Sequence, residues 1–423
     1  MDDALILGKP VLYSDCFKYI LMKIAIIGSG PAGIFTSLQL KNLPGEVHLF
    51  EQNARVGVKL EKTGGGRMNV TNRVFSVDKF SSNQPNLLKR FFKNPWVKNR
   101  FQIFEEMGVE YEWEGDRAIL KGQDAIAEVE RLSERLENQK NLILQLGAEV
   151  ISIEKKEEQY RVCFLRGDVQ GEDLFDIVII SGGGMFRIGR PSENEGIYRL
   201  PHQLGHTITE VSPSLSSLVV KNNPLNEFSG IALRVELTDL SSGKKMCDDM
   251  LIAHHGFSGP LALDFSSILQ GTKVGLNFLP DLKEEDFTVK FNALRQGKHS
   301  VRGLLRQHLP KRLADWHMVQ ADIKEEDAIA DVSKDKLKQL RKTLYRLEIE
   351  GVTTLDYSAC WTTRGGIDLS EVNVSTLESK LHKNLYFSGE ILDINGLCGG
   401  YNISFAAISG KIVAEGIIKN FSN

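Results

Sequence analysis

The residues with chemistry to offer sit in glycine-rich runs. Gly28-Ser29-Gly30-Pro31-Ala32-Gly33 follows the apolar run "KIAII", and Glu51 closes the next β-branched run, "VHLFE". In a strand–turn–helix setting the three glycines permit a tight turn, close approach of backbone to a pyrophosphate, and tight helix–strand packing. Pro31 and Ala32 open the helix, whose unpaired N–H groups and positive dipole end favour phosphate. Glu51 is placed to accept hydrogen bonds from a ribose diol. The spacing therefore predicts a dinucleotide site.

A second run, "TGGGRMNVTN" (Thr63–Asn72), has the layout of the redox loop of flavin-dependent disulfide reductases without its two sulfurs. Arg67 and Asn72 stand where the cysteines would be, and Asn69 remains where an Asn is expected. No thiol at these positions means no dithiol relay. The run is instead expected to wrap a cofactor with Gly64, Gly65 and Gly66. Arg67 would neutralise pyrophosphate charge, with Asn69 and Asn72 hydrogen-bonding near the redox ring.

Two more elements decide between FAD and NAD. "DIVIISGGG" (Asp176–Gly184) resembles the strand-plus-glycine element beside the cofactor in two-dinucleotide-binding-domain flavoproteins, with Gly182 and Gly183 in the turn. "LYFSGEILD" followed by "GGYN" resembles their last strand, turn and helix. In that setting Gly389 makes the turn, and Glu390 or Asp393 serves the ribityl or pyrophosphate region. Gly399, Gly400, Tyr401 and Asn402 begin a helix aimed at the pyrimidine end, where reduction develops negative charge. FAD is the expected cofactor. There is no second fingerprint after a strand, so NAD(P)H is expected at most as a transient electron donor.

For proton chemistry, "HHGFSGP" supplies His254, His255 and Ser258, and a His pair can poise a proton near neutral pH. Arg364, in "WTTRGGI", is a candidate to hold an anionic substrate or a nicotinamide phosphate. All three catalytic candidates have a bland alternative as structural hydrogen-bonders. The basic run Lys334–Arg346 is interleaved with acids at helical spacing and reads as a solvated helix face.

Together "GGGRMNVTN", "HHGFSGP", "TTRGGI" and "GEILDINGLCGGYNISFA" resemble one family. It is the bacterial NAD(P)/FAD-dependent flavoproteins that include aminoacetone oxidase and the bile-acid-pathway flavoprotein, and the resemblance runs from Met22 to the end. It implies a Rossmann-like FAD-binding domain built from both chain ends, carrying an inserted β-rich subdomain and a helical subdomain. The chain departs from the family pattern at Met68, where Cys is usual, and at "GMFRIGRPSENEG", where "KSYPxxGSTGDG" is usual. The second departure bears on the substrate pocket.

The elements that must position these residues follow from patterning. Strands are expected at Lys23–Ile27, Val47–Glu51, Asn141–Leu146, Glu149–Lys155, Tyr160–Arg166 and Asp176–Ser181. Helices are expected at Ile34–Lys41, Lys98–Met107 and Ala125–Gln139. Strand texture over Leu215–Ile252 gives way to charged helical texture over Glu284–Glu350. The resulting α/β division is an extension at 1–21, FAD-binding domain at 22–205 and 351–423, β-rich insertion at 206–280 and helical insertion at 281–350. The first 21 residues are expected to be a tail outside the compact fold.

At 423 residues with 42% hydrophobic and 25% charged content, the chain is an ordinary globular one of two or three domains. A net charge of -3 argues against nucleic acid as partner. The five cysteines are dispersed, with neither disulfide nor metal-ligand spacing, so no metal is expected and the cytoplasm is the expected compartment. No apolar run approaches the roughly 20 residues of a membrane helix. The expected function is FAD-dependent oxidation or reduction of a small molecule by hydride transfer at flavin N5, with nicotinamide or oxygen as redox partner. The alternatives are a flavin-dependent RNA-modifying or RNA-binding protein and a non-catalytic FAD-binding regulator.

Overall fold

A computed structural model describes residues 22–185 and 196–422. The expectation for residues 1–21 and most of the divergent segment 184–196 lie outside the described residues. The chain folds around two separate apolar cores.

The first core surrounds a seven-stranded sheet whose central strands, in spatial order, are Leu385–Phe387, Ile177–Ile180, Met22–Ile27, Gly45–Glu51 and Leu142–Leu146. These five run parallel, with Ile27 beside both Ile180 and Phe50. Val372–Asn373 and Glu378–Ser379 add an antiparallel edge. Parallel strands covered on both faces must be apolar throughout, and Ile24, Ala25 and Ile26 are fully buried. The fingerprint helix Pro31–Gln39 and the carboxy-terminal helix Tyr401–Ser422 pack together beside this sheet. A three-stranded antiparallel sheet, Ala148–Lys156, Gln159–Arg166 and Val169–Phe175, packs aromatic side chains against it, with Phe50 and Phe164 ring centroids 5.2 Å apart. The helix at Ala125–Glu137 starts where Asp124 accepts hydrogen bonds from the Ile126 and Ala127 amides.

The second core belongs to the insertion. Its sheet runs in the order Leu347–Glu350, Lys273–Asn277, Ala232–Asp239, Lys245–Ala253, Gly256–Ser258, Leu218–Val220, Val352–Thr354, antiparallel throughout. Helices Glu284–Ala293, Val301–Leu305, Lys311–Gln320 and Lys334–Tyr345 bury Phe287, Phe291, Leu304, Leu313 and Leu340 in this core.

The structure draws the boundaries differently from the patterning. Leu347–Glu350 and Val352–Thr354, assigned to the helical subdomain and the carboxy-terminal part, are strands of the inserted sheet. Conversely Ser212–Ser214 pairs with Thr362–Arg364, and Ile208 bridges to Ile367, so residues 206–214 sit with the first core. Strands of three or four residues carry too few side chains to show a period, which is why patterning misplaces them.

Candidate cofactor and active site

A cleft of about 1330 Å³ opens along the carboxyl ends of the parallel strands. That exceeds the roughly 300–1,000 Å³ of an ordinary small-ligand pocket. The first strand ends at Gly28, whose φ of +97° turns the chain sharply. A Cβ there would lie 2.5 Å from the Gly182 Cα, so the two strand ends can touch only as glycines. A Cβ on Gly33 would lie 1.9 Å from the Gly28 carbonyl oxygen, which seats the helix on its strand. Gly30, by contrast, has no atom of the described residues beyond its chain neighbours within 4 Å of where its Cβ would project. The helix it caps has neither a side-chain cap nor an acid in its first turn, so its N–H groups are left for an anion.

Glu51 is buried, and each carboxylate oxygen has two donors. Oε2 accepts from the Ser29 amide at 2.9 Å and the Ser29 hydroxyl at 2.6 Å. Oε1 accepts from the Asn53 amide at 2.9 Å and Asn53 Nδ2 at 2.6 Å. A ribose diol reaching Glu51 must replace the two side-chain donors, whereas the backbone amides can stay.

Of the other expected residues, Pro31, Ala32, Gly64, Gly65, Asn69, Gly182, Gly183, Glu390, Gly399, Gly400 and Asn402 line the same cleft. Glu390 is already tied across the chain: Oε2 meets Lys59 Nζ at 2.6 Å and Oε1 accepts from the Thr363 amide at 2.8 Å. Asn402 closes the turn before its helix, accepting from the Gly396 amide at 2.9 Å and donating to the Gly396 carbonyl at 2.8 Å.

Other expected residues are placed outside the cleft lining. Arg67 does not line the cleft; its guanidinium pairs with Glu114 at 2.7 Å and Gln123 at 2.8 Å, on the outside of the glycine loop. Gly66 is likewise outside the cleft lining. Asn72 is a buried tie, donating to the Gly399 carbonyl at 3.1 Å, so it holds the cofactor turn from behind. Tyr401 turns into an aromatic cluster with Phe75 and Phe80. Gly33 and Gly389 shape the cleft from behind its wall. Asp393 is buried below the cleft and accepts from the Asn83 amide at 2.7 Å; burial pushes its carboxyl up to about 6.

The three catalytic candidates also fall elsewhere. His254 and His255 are exposed in the turn between Lys245–Ala253 and Gly256–Ser258, away from the cleft, because that hairpin needs a short polar turn. Arg364 donates to the Ser267 carbonyl at 3.0 Å, linking the two bodies, and is not among the residues that line the cleft.

The sequence reading missed Asp264 and Cys398. The helix Gly259–Ser266 begins right after "HHGFS" and sends Leu263 into the cleft wall, with Asp264 beside it. Asp264 Oδ1 accepts from the Cys398 amide at 2.6 Å, and Cys398 is among the residues that line the cleft. Burial raises the Asp264 carboxyl to about 7. Burial and the Asp264 charge raise the Cys398 thiol to about 11, so it stays protonated near neutrality. The available signal was "GFSGPLALD", which puts an acid on an otherwise apolar helix face.

A family model described as HI0933-like protein Rossmann domain matches residues 22–416. The chain belongs to this family. It is a flavoprotein oxidoreductase, and FAD is its cofactor. The cleft fits that group: Gly30 and the uncapped helix leave room and donors for a pyrophosphate, and Glu51 in the same lining would accept from a ribose. Relatives of similar length are known. The ribosomal RNA dihydrouridine synthase of Haemophilus influenzae is 29% identical over 93% of this chain and 97% of its own. The protein of that name from Escherichia coli is 27% identical over 93% and 97%. The 3-dehydro-bile acid delta(4,6)-reductase of Clostridium scindens is 25% identical over 93% and 98%. The expectation that nucleic acid has no part finds no support in these relatives. Among the described residues no helix is long and apolar enough to cross a membrane.

Proposed function

We propose that this flavoprotein reduces a carbon–carbon double bond conjugated to a carbonyl, with a uracil base of ribosomal RNA as substrate. The observation that carries the reading is the bond change common to the relatives. Dihydrouridine is uridine with its ring double bond saturated, and a bile-acid delta(4,6)-reductase also saturates alkenes in conjugation with a ketone. RNA is preferred over steroid because two of the three relatives, at 29% and 27% identity, are named for RNA and one, at 25%, for a bile acid.

Saturation of such a bond takes a hydride at one carbon and a proton at its neighbour. When bound, FAD supplies the hydride, with reduced nicotinamide as the visiting donor of electrons. The chain must supply the rest. Lys59 and Glu390 clamp the two chain ends across the cleft and fix its width. Cys398 Sγ, still protonated at neutral pH, holds the proton for the substrate carbon. Asp264 anchors the Cys398 backbone and returns a proton to the thiol. With neither Arg67 nor Asn72 a cysteine, electrons pass without a dithiol relay.

The test is anaerobic. Holoprotein is bleached with NADH or NADPH, then mixed with an unmodified ribosomal RNA transcript, and the yellow colour is expected to return. Mass spectrometry of the digested RNA should show one uridine heavier by two hydrogens. A reduced protein that neither RNA nor a conjugated enone reoxidises anaerobically would end the proposal. Reoxidation by a steroid enone alone would move the substrate to the second class.

A further inference from the structure

The net charge of -3 hides a strong local asymmetry. From Phe287 to Ala314 the chain carries seven Lys or Arg and two His, with no Asp or Glu among its 28 residues. The apolar positions of this stretch, including Phe287, Phe291, Val301, Leu305 and Leu313, are buried in the second core. Its cations are therefore left at the surface, where Lys298, Arg306, His308, Lys311 and Arg312 are exposed.

Contacts bring part of this set together. Lys290 Nζ donates to Gln307 Oε1 at 2.9 Å, next to His308. Burial and then the Lys290 charge hold the His308 ring below its ordinary pKa. Lys311 and Arg312 follow His308 across the turn into Lys311–Gln320. Carboxylates flank the stretch at its two ends: Glu284, Glu285 and Asp286 open the helix that carries Lys290, and Asp315 is shared between Arg302, at 2.8 Å, and Arg306, at 3.3 Å. Glu325 also pairs with Arg302. Arg312 lies over the Phe228 ring at 5.5 Å and donates to a backbone carbonyl, that of Glu227, so its charge is not cancelled. Lys290 and Lys311 make no ion pair with a described carboxylate. The helix Lys334–Tyr345 and the residue just past it differ: Arg341 and Arg346 both close on Glu284, at 2.7 Å and 2.6 Å, and Lys336 meets Asp322 at 3.1 Å.

We propose that the surface around Lys290, Arg306, His308, Lys311 and Arg312 docks the sugar–phosphate backbone of RNA while one base enters the flavin cleft. This rests on the RNA reading above and adds where the polymer is held. A surface on which cations outnumber carboxylates, as here where Arg306 only shares Asp315 with Arg302, gives affinity and position on a phosphate chain, and base contacts elsewhere give selectivity. Chemistry on a base requires that it leave its stack, so the backbone needs a grip outside the reaction site. The same inserted module supplies both the cations and, through Leu263, part of the cleft wall, with Asp264 tied to the Cys398 amide behind it.

The experiment measures binding of holoprotein to an unmodified ribosomal RNA transcript at several salt concentrations. The K290Q/R306Q/K311Q variant is expected to bind about tenfold or more weakly. Its log–log salt slope should fall by about 2–3, given about 0.7–0.9 for each lost phosphate contact. Flavin absorbance and reduction of a free conjugated enone should be unchanged. If the triple variant loses its flavin, K311Q alone serves, with a slope loss of about 0.7–0.9. A variant that binds RNA as the parent does overturns the inference. So does an equal loss in K334Q/K338Q/K342Q, which would make the effect one of total charge. A parent protein that reduces a free enone but lacks salt-dependent RNA affinity sinks the docking surface and leaves the reaction standing. Salt-dependent docking by this surface with no alkene reduction does the reverse.

Discussion

Asp264 is a carboxyl whose protonation can be read directly from activity. Its ordinary value of 3.8 is raised to about 7 by burial. A proton-return role needs the protonated form, so the rate of alkene reduction should fall as pH rises through about 7. Asp264→Asn keeps an oxygen for the Cys398 amide but cannot ionise, and stopped-flow reoxidation should then show no limb near that pH and a lower overall rate. The stability sign follows from the same shift. Ionisation is disfavoured in the folded state, so this carboxyl costs stability progressively as pH rises from about 3.8 to about 7. Thermal melts of the Asn variant should therefore lose less than the parent across that window. Glu51 gives a second residue-scale prediction. Its carboxylate orders the Ser29 amide and would take the ribose hydroxyls, and a charge-assisted hydrogen bond contributes about 1.5–3 kcal/mol. Glu51→Gln should weaken FAD binding by about 10- to 100-fold in fluorescence titration of apoprotein; an unchanged affinity would remove Glu51 from the site. At this scale the glycines of the cleft were legible because a missing Cβ is a local demand. The directions of Arg67, His254 and His255 were not. Glu114 and Gln123 are far enough along the chain that no local pattern announces them as partners of Arg67.

At the scale of elements, the fold rests on the junction between the first strand and the fingerprint helix. Gly33→Ala places a methyl into the Gly28 carbonyl, where the nearest approach would be 1.9 Å, and backbone must move to relieve it. Overpacking of this kind costs about 1–3 kcal/mol. The expected outcome is a lower melting temperature together with loss of bound flavin, since the displaced helix start is the same group of N–H donors that faces the cleft. Gly30→Ala separates the two effects. It has open space around its Cβ, so the fold should keep its melting temperature as apoprotein while FAD affinity falls. Equal FAD affinity in Gly30→Ala and parent would mean that no pyrophosphate approaches this turn. The strand–helix–strand start and the last helix were legible because each combines a run of β-branched residues with glycine punctuation. The short strands Leu347–Glu350 and Val352–Thr354 were not, because their pairing partners are Lys273–Asn277 and Leu218–Val220, remote in sequence.

At the scale of the molecule, two cores meet at the cleft through few ties, among them Cys398 amide to Asp264 at 2.6 Å and Arg364 to the Ser267 carbonyl at 3.0 Å. The lining of the cleft comes almost wholly from the first core's segments, with Leu263 the contribution of the inserted module. FAD should then stabilise the two bodies unequally. A ligand at 100 times its Kd adds about 2.7 kcal/mol to whatever unfolds with its site. Hydrogen exchange on the apoprotein with and without added FAD should show strong new protection at residues 28–33, 64–69 and 397–406. Modest protection is expected at 260–266, and none at the buried helical positions around Phe287 and Phe291. Uniform protection across both cores would show instead that they unfold as one unit, and the ties at Asp264 and Arg364 would then carry more of the stability than two hydrogen bonds suggest. Unequal protection would fit a module that holds a polymer on its own surface and still contributes Leu263 to the cleft. Its fold would stand apart from the cofactor, and only its cleft-facing helix would respond to it.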